Sequence, residues 1–181
     1  NITLTSTGAA QKTIALSGKV TLPVVKPAVI ISEVYGGGGN SGATLINDFI
    51  ELYNTSNETV EIGGWSVQYY SENGNGAATE SNIFVIPEGK YIPAGAHFLI
   101  KAAAGSGGTE YLFQPDAACN LALRATGGKI ILYNTSAAQN ITDINSITSN
   151  PNFVDYVPYG TTAVPVWGSA MSSNTSNTTS A

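Results

Sequence analysis

Few residues in this chain can do chemistry, so their spacing carries the first argument. From Val34 to Asn54 the sequence reads VYGGGGNSGATLINDFIELYN, and within it Gly37 to Thr44 spells G-x-x-x-x-G-A-T. That is one lysine short of a phosphate-binding loop. Such a loop aims its amides at phosphates, neutralises them with lysine, places a hydroxyl on magnesium and leads straight into a helix. Here Ala43 stands where the lysine is needed. Residues 48 to 53 are aromatic and β-branched, too few for a stable helix and typical of a strand. The nucleotide reading fails on both counts. The glycines read instead as a loop between two strands that needs left-handed backbone angles.

Two further groupings could carry chemistry. His97 and Cys119 could form a base and nucleophile pair, but His97 alternates with Phe98 and Ile100 and reads as an ordinary strand histidine. Cys119 reads as a small buried hydrophobe. Asp48, Asn40 and Asn47 could supply oxygen ligands to a structural calcium ion, with Glu33 and Glu51 nearby. Against this, alternation sends Asp48 and Glu51 to opposite faces, and no D-x-D-x-D-G spacing is present. No pair of acids is singled out for glycoside hydrolysis. Among the aromatics, Trp65 shares a face with Val67 and Tyr69 and reads as core. Tyr70 lies on the other face, where exposure is expected. Tyr70 and Trp167 are therefore the candidates for stacking on a ligand.

The elements that must position these residues are strands. Period-2 alternation dominates and no 3.6-residue period persists. Strands are predicted at residues 29–35, 48–53, 59–62, 65–70, 83–86, 91–92, 97–101, 129–133 and 153–159, with a mobile loop at 102–108. Many short strands separated by turn residues mean a β-sandwich or barrel. Residues 1–22 read as an N-terminal β-hairpin, which could be the end of an upstream immunoglobulin-like domain. Residues 23–27, with two prolines, read as a stiff linker. The main domain spans 28–168, and 169–181 is a Ser/Asn/Thr tract expected to be loose. The hairpin edges could pair between copies of the chain.

Composition narrows the class. Charged residues make up only 10% and the net charge is -5. The seven Lys and Arg are scattered, so no direct nucleic-acid grip is expected. A single cysteine excludes an internal disulfide and a multi-cysteine zinc site. No apolar run approaches the roughly 20 residues that span a bilayer. Asn-x-Ser/Thr triplets occur at Asn1, Asn54, Asn57, Asn134, Asn140, Asn174 and Asn177; in so Asn- and Ser-rich a chain they follow from composition.

Ile31-Ser32-Glu33-Val34-Tyr35, the glycine loop with Asn40-Ser41-Gly42, and Asp48-Phe49-Ile50-Glu51-Leu52-Tyr53-Asn54 follow one another in an order that resembles the opening of a bacterial lamin-tail domain. Val60 to Gln68 continues the likeness, followed by Ile92-Pro93-Ala94-Gly95, Gly127-Gly128-Lys129-Ile130 and Val154-Asp155-Tyr156-Val157. The resemblance spans about residues 28 to 180 and is most specific over 48 to 68. It implies an all-β, immunoglobulin-like β-sandwich used as a non-catalytic interaction module. Bacterial examples are attached to secreted or cell-surface proteins, often beside nuclease or other hydrolase domains. The expected function is thus an accessory module, without cofactor, that tethers or positions neighbouring domains outside the cell or at its envelope, with a protein or glycan as partner. A glycan- or ligand-binding sandwich and a fragment of a metal-dependent hydrolase are the alternatives.

Overall fold

The structure, a computed structural model, describes residues 2–4, 12–14, 27–160 and 176–180. In chain order its strands are β1 (Ile2–Leu4), β2 (Lys12–Ile14), β3 (Val29–Tyr35), β4 (Asn47–Asn54), β5 (Val60–Glu61), β6 (Ser66–Ser71), β7 (Gly76–Ala77) and β8 (Ile83–Val85). They continue with β9 (Tyr91–Ile92), β10 (His97–Ala104), β11 (Ala117–Ala118), β12 (Gly127–Tyr133), β13 (Asn140–Ile141) and β14 (Phe153–Gly160). Two 3-10 turns, Glu80–Asn82 and Ile144–Ser149, are the helical pieces among the described residues. Alternation is the local cause. In β10, Phe98, Ile100 and Ala102 are buried while His97, Leu99 and Lys101 face outward, a spacing that fits a half-buried strand and no helix face.

Two four-stranded sheets, ordered β11-β10-β4-β3 and β14-β12-β6-β8, hold the core between them. Val34, Ile50, Leu52, Phe98 and Ile100 from the first meet Val67, Tyr69, Ile130, Leu132 and Tyr159 from the second in one cluster. Each fully buried Ile or Leu contributes about 1.5–3 kcal/mol relative to exposure. Trp65 packs half-buried against the same cluster. The fold is the expected immunoglobulin-like sandwich. A bulge between Ile31 and Glu33 adjusts the register so that Ile31 faces Leu52 and Val34 faces Ile50. Without that extra residue, positions three apart would point to opposite sides.

One seam of the sandwich is closed by a carboxylate. The Ile31 amide of β3 donates to Asp155 Oδ2 of β14 at 2.7 Å. Both strands are edges of their sheets, and an edge amide occupied this way offers less to a foreign strand. β1 and β2 pair antiparallel with Ile2 opposite Ile14. The connection between them, linker residues 23–26 and Trp167 lie outside the described residues.

The second sheet has its outer face covered. Ile141, Ile144 and Ile147 pack over Tyr70, Ile131, Tyr133 and Tyr156. Gln68, fully buried, anchors this cover. Its Nε2 donates to Ser66 Oγ (2.8 Å) and the Ala137 carbonyl (3.0 Å), and its Oε1 accepts the Gln139 amide (3.0 Å). A buried amide side chain is tolerated only when satisfied in this way.

Candidate interaction site

At one end of the sandwich the β3–β4 connection, residues 36–46, meets the β10–β11 connection, residues 105–116. Backbone bonds join them. The amide of Gly105 donates to the Ile46 carbonyl (3.0 Å), Gly107 to Gly39 (2.7 Å), Glu110 to Thr44 (3.0 Å) and Ile46 to Glu110 (2.9 Å). Contact this close requires glycine at position 39. Its φ is +67°, and a Cβ there would lie 2.1 Å from Gly105 Cα. A mobile loop is expected at 102–108. Instead β10 runs on to Ala104, and the following glycines are bonded to the first loop, because backbone without side chains approaches within hydrogen-bond reach.

Asp48 lies beneath this junction, 4% exposed. Its Oδ1 accepts the Gly38 amide and its Oδ2 the Leu123 amide, both at 2.9 Å. The glycine loop does hold an anion, and that anion is the chain's own carboxylate. The Gly39 amide turns to the Leu45 carbonyl (2.8 Å) and the Ala43 amide to the Asn40 carbonyl (3.1 Å). A strand, not a helix, follows. The loop is therefore closed on itself and has no phosphate seat. Burial pushes the Asp48 carboxyl up to about 6, against the lowering pull of the Leu123 and Gly38 amides. Burial likewise raises the Tyr69 hydroxyl, with Asp48 adding to the effect, while its bond from the Arg124 amide pulls it back.

The calcium candidates are each bonded within the chain. Asn40 Nδ2 donates to Asn177 Oδ1 (3.1 Å), Asn47 Nδ2 to the Ala102 carbonyl (3.0 Å), and Asp48 has an N–H donor on each oxygen. Asn47 and Asp48 are neighbours in one strand, so their side chains leave on opposite faces. Among the described residues no three His, Cys, Asp or Glu gather to hold a metal.

The catalytic pair is also separated. His97 Nδ1 lies 2.8 Å from Glu51 Oε1, which accepts Ser32 Oγ at 2.8 Å as well, and the imidazole rests on Tyr53 with ring centres 4.6 Å apart. Cys119 bonds level with Lys101, about 13 Å along β10 from His97 at roughly 3.3 Å per residue. Burial raises its thiol further from the reactive thiolate.

Of the ligand-stacking candidates, Tyr70 is not exposed. It is 5% accessible, and its hydroxyl donates to the Gln139 carbonyl at 2.9 Å, with Gln68 Oε1 at 3.1 Å. The cover formed by residues 134–152 occupies the face a ligand would need. Tyr70→Phe should cost about 1 kcal/mol in urea unfolding, the value of one neutral hydrogen bond, and leave any ligand binding unchanged. Lost binding would place Tyr70 in a site. Asn54, a sequon residue, is fully buried with its amide nitrogen bonded to the Glu58, Ile92 and Pro93 carbonyls, so it is a turn anchor and no glycan acceptor.

A loose tail is expected from 169, yet residues 176–180 are seated on the glycine loop. The Tyr35 hydroxyl donates to the Asn177 carbonyl, and Asn177 Nδ2 donates to the Ser41 carbonyl at 2.9 Å. Polar side chains and backbone dock this stretch where apolar content is missing.

Two aromatic residues with no strand pattern around them stand out at this end. Tyr111 is 78% exposed and Phe113 81%. Their signal was two aromatics two residues apart, between a glycine run and Pro115.

The chain is an all-β sandwich of immunoglobulin-like type in which Asp48 and His97 are bonded to the chain itself and the loop end displays aromatic rings. The Lamin Tail Domain family model matches residues 24–155, and the chain belongs to this family of immunoglobulin-like domains. No curated protein matches the chain.

Proposed function

We propose that the chain is a non-catalytic accessory module of a secreted or cell-surface bacterial protein, where it tethers or positions neighbouring domains, among them a nuclease or other hydrolase. One observation carries this reading: Asp48, Glu51 and His97 are bonded to the chain itself, while Tyr111 and Phe113 are presented to solvent. A side chain held in that way supports architecture, and loops on a rigid scaffold are where recognition is built. No described helix is long and apolar enough to cross a membrane.

The test uses the parent protein with and without this chain. Deletion should release the protein from the cell surface or separate its neighbouring domains, seen as a larger radius of gyration in solution scattering. Turnover by a neighbouring catalytic domain, per active site, should stay the same. Hydrolysis by the isolated chain that disappears in Asp48→Asn would overturn the reading.

A further inference from the structure

We infer that Tyr111, Leu112 and Phe113 form a protein-docking wedge whose partner offers an apolar pocket with a Lys or Arg at its rim. The inference rests on the interaction reading above and names its surface.

Two large aromatics at 78% and 81% exposure, two positions apart with half-buried Leu112 between them, are costly to hold in water. The loop that holds them is bonded on both sides. Thr109 and Glu110 amides donate to the Thr44 carbonyl at 2.9 and 3.0 Å before the wedge. After it, the Asp116 amide donates to the Leu99 carbonyl at 2.9 Å, and Asp116 Oδ2 accepts the Leu99 amide at 2.7 Å. Lys90 Nζ adds a bond to the Asp116 carbonyl at 2.8 Å. Between these anchors Gln114 is held at φ +44°, the one non-glycine residue in the left-handed region among the described residues, and it precedes a proline. Backbone strain of that kind persists where the surroundings impose it, and it collects at binding sites.

The composition of this end points to protein. Gly36 to Thr44 and Gly105 to Phe113 combine Gly, Ser and Asn with exposed aromatics, the mixture of adaptable backbone and rigid anchors seen in protein-binding loops. Two aromatics bury roughly 300–500 Å², a large part of the roughly 800 Å² per partner in a standard interface. Charge sets the partner's rim. Residues 105–116 carry Glu110 and Asp116 and no base. The Asp116 carboxylate accepts the Leu99 amide, and Glu110, next to Tyr111, is exposed. The net charge of -5 adds to it and disfavours an anionic lipid surface.

A random peptide library displayed on phage, selected against the whole chain, tests this. Enriched peptides should join apolar side chains to Lys or Arg. Tyr111→Ala and Phe113→Ala should each weaken the best peptide at least about tenfold, as truncated anchors do, with the urea midpoint unchanged. Glu110→Gln should slow association and flatten its salt dependence. Peptides that bind the variants as tightly as the parent, or no enrichment at all, would overturn the inference. So would a finding that the variants abolish binding to a neutral oligosaccharide array or to phosphatidylcholine vesicles, which would assign the wedge to sugar or lipid. Domain positioning in the parent protein is measured separately, and it would persist if only the wedge failed.

Discussion

Replacing Asp48 with alanine should lower the unfolding free energy by about 2–4 kcal/mol. The carboxylate holds the Gly38 and Leu123 amides at 2.9 Å each, and bonds to a charged acceptor contribute about 1.5–3 kcal/mol each. Their loss is partly offset because a buried carboxylate is itself costly to desolvate. Asp48→Asn should fall between the two, since its oxygen still accepts one amide while its NH2 group confronts the other. The pH dependence distinguishes this clamp from simple packing. Asp48 keeps its proton up to about pH 6 when folded and near its ordinary 3.8 when unfolded. Between those values the folded state binds more protons, so stability rises as pH falls. The gain linked to Asp48 protonation is complete below the unfolded value and is lost as pH climbs through the folded one, where the two amide bonds to the carboxylate remain. Urea midpoints measured at about pH 7.5 and about pH 5 should show a rise at the lower pH that is smaller in Asp48→Asn than in the parent. Comparing the two chains cancels the other titrating groups. Equal slopes would show that Asp48 does not titrate in this window.

Gly39→Ala should cost a further large amount, about 2–4 kcal/mol, and should act on the loop junction. The left-handed angle alone is worth roughly 1–2 kcal/mol for a residue with a Cβ. The new methyl would also stand 2.1 Å from Gly105 Cα and 2.2 Å from its nitrogen, so one backbone must move and the 2.7 Å bond from Gly107 to Gly39 must lengthen or break. Gly42 is the control, with φ +80° but open space where its Cβ would lie. Gly42→Ala should show the angular cost and no more. If both variants unfold at the same urea concentration, the close approach of the two loops contributes nothing.

The sheets were legible in the sequence because β4 and β10 alternate over five residues or more, and one face must be apolar to be buried. The character of the glycine loop was also legible, from the missing lysine and the strand residues that follow. What the loop does was not. Leu123, which shares the Asp48 carboxylate, is 75 positions away, and single-sequence periodicity cannot join residues so far apart. Tyr70 lies on the expected face but is buried there, because Ile141, Ile144 and Ile147, set in an otherwise polar run, cover it. Their spacing of three is that of a 3-10 turn and was the available signal. The docked stretch at 176–180 carried no apolar signal, since amide side chains and backbone hold it. Tyr111 and Phe113 lie in a segment with no sustained alternation, and their position between a glycine run and Pro115 is the one mark they carry in the sequence.

Native-state hydrogen exchange of individual amides by NMR tests most directly whether the loop end is one bonded unit closed on its own carboxylate. The amides of Gly38, Gly107 and Leu123 should exchange with protection approaching that of β4 residues, because each is held by an acceptor within 2.9 Å and opens only when the unit opens. Exchange of these three amides at the rate of an unstructured chain, while β4 stays protected, would contradict the account.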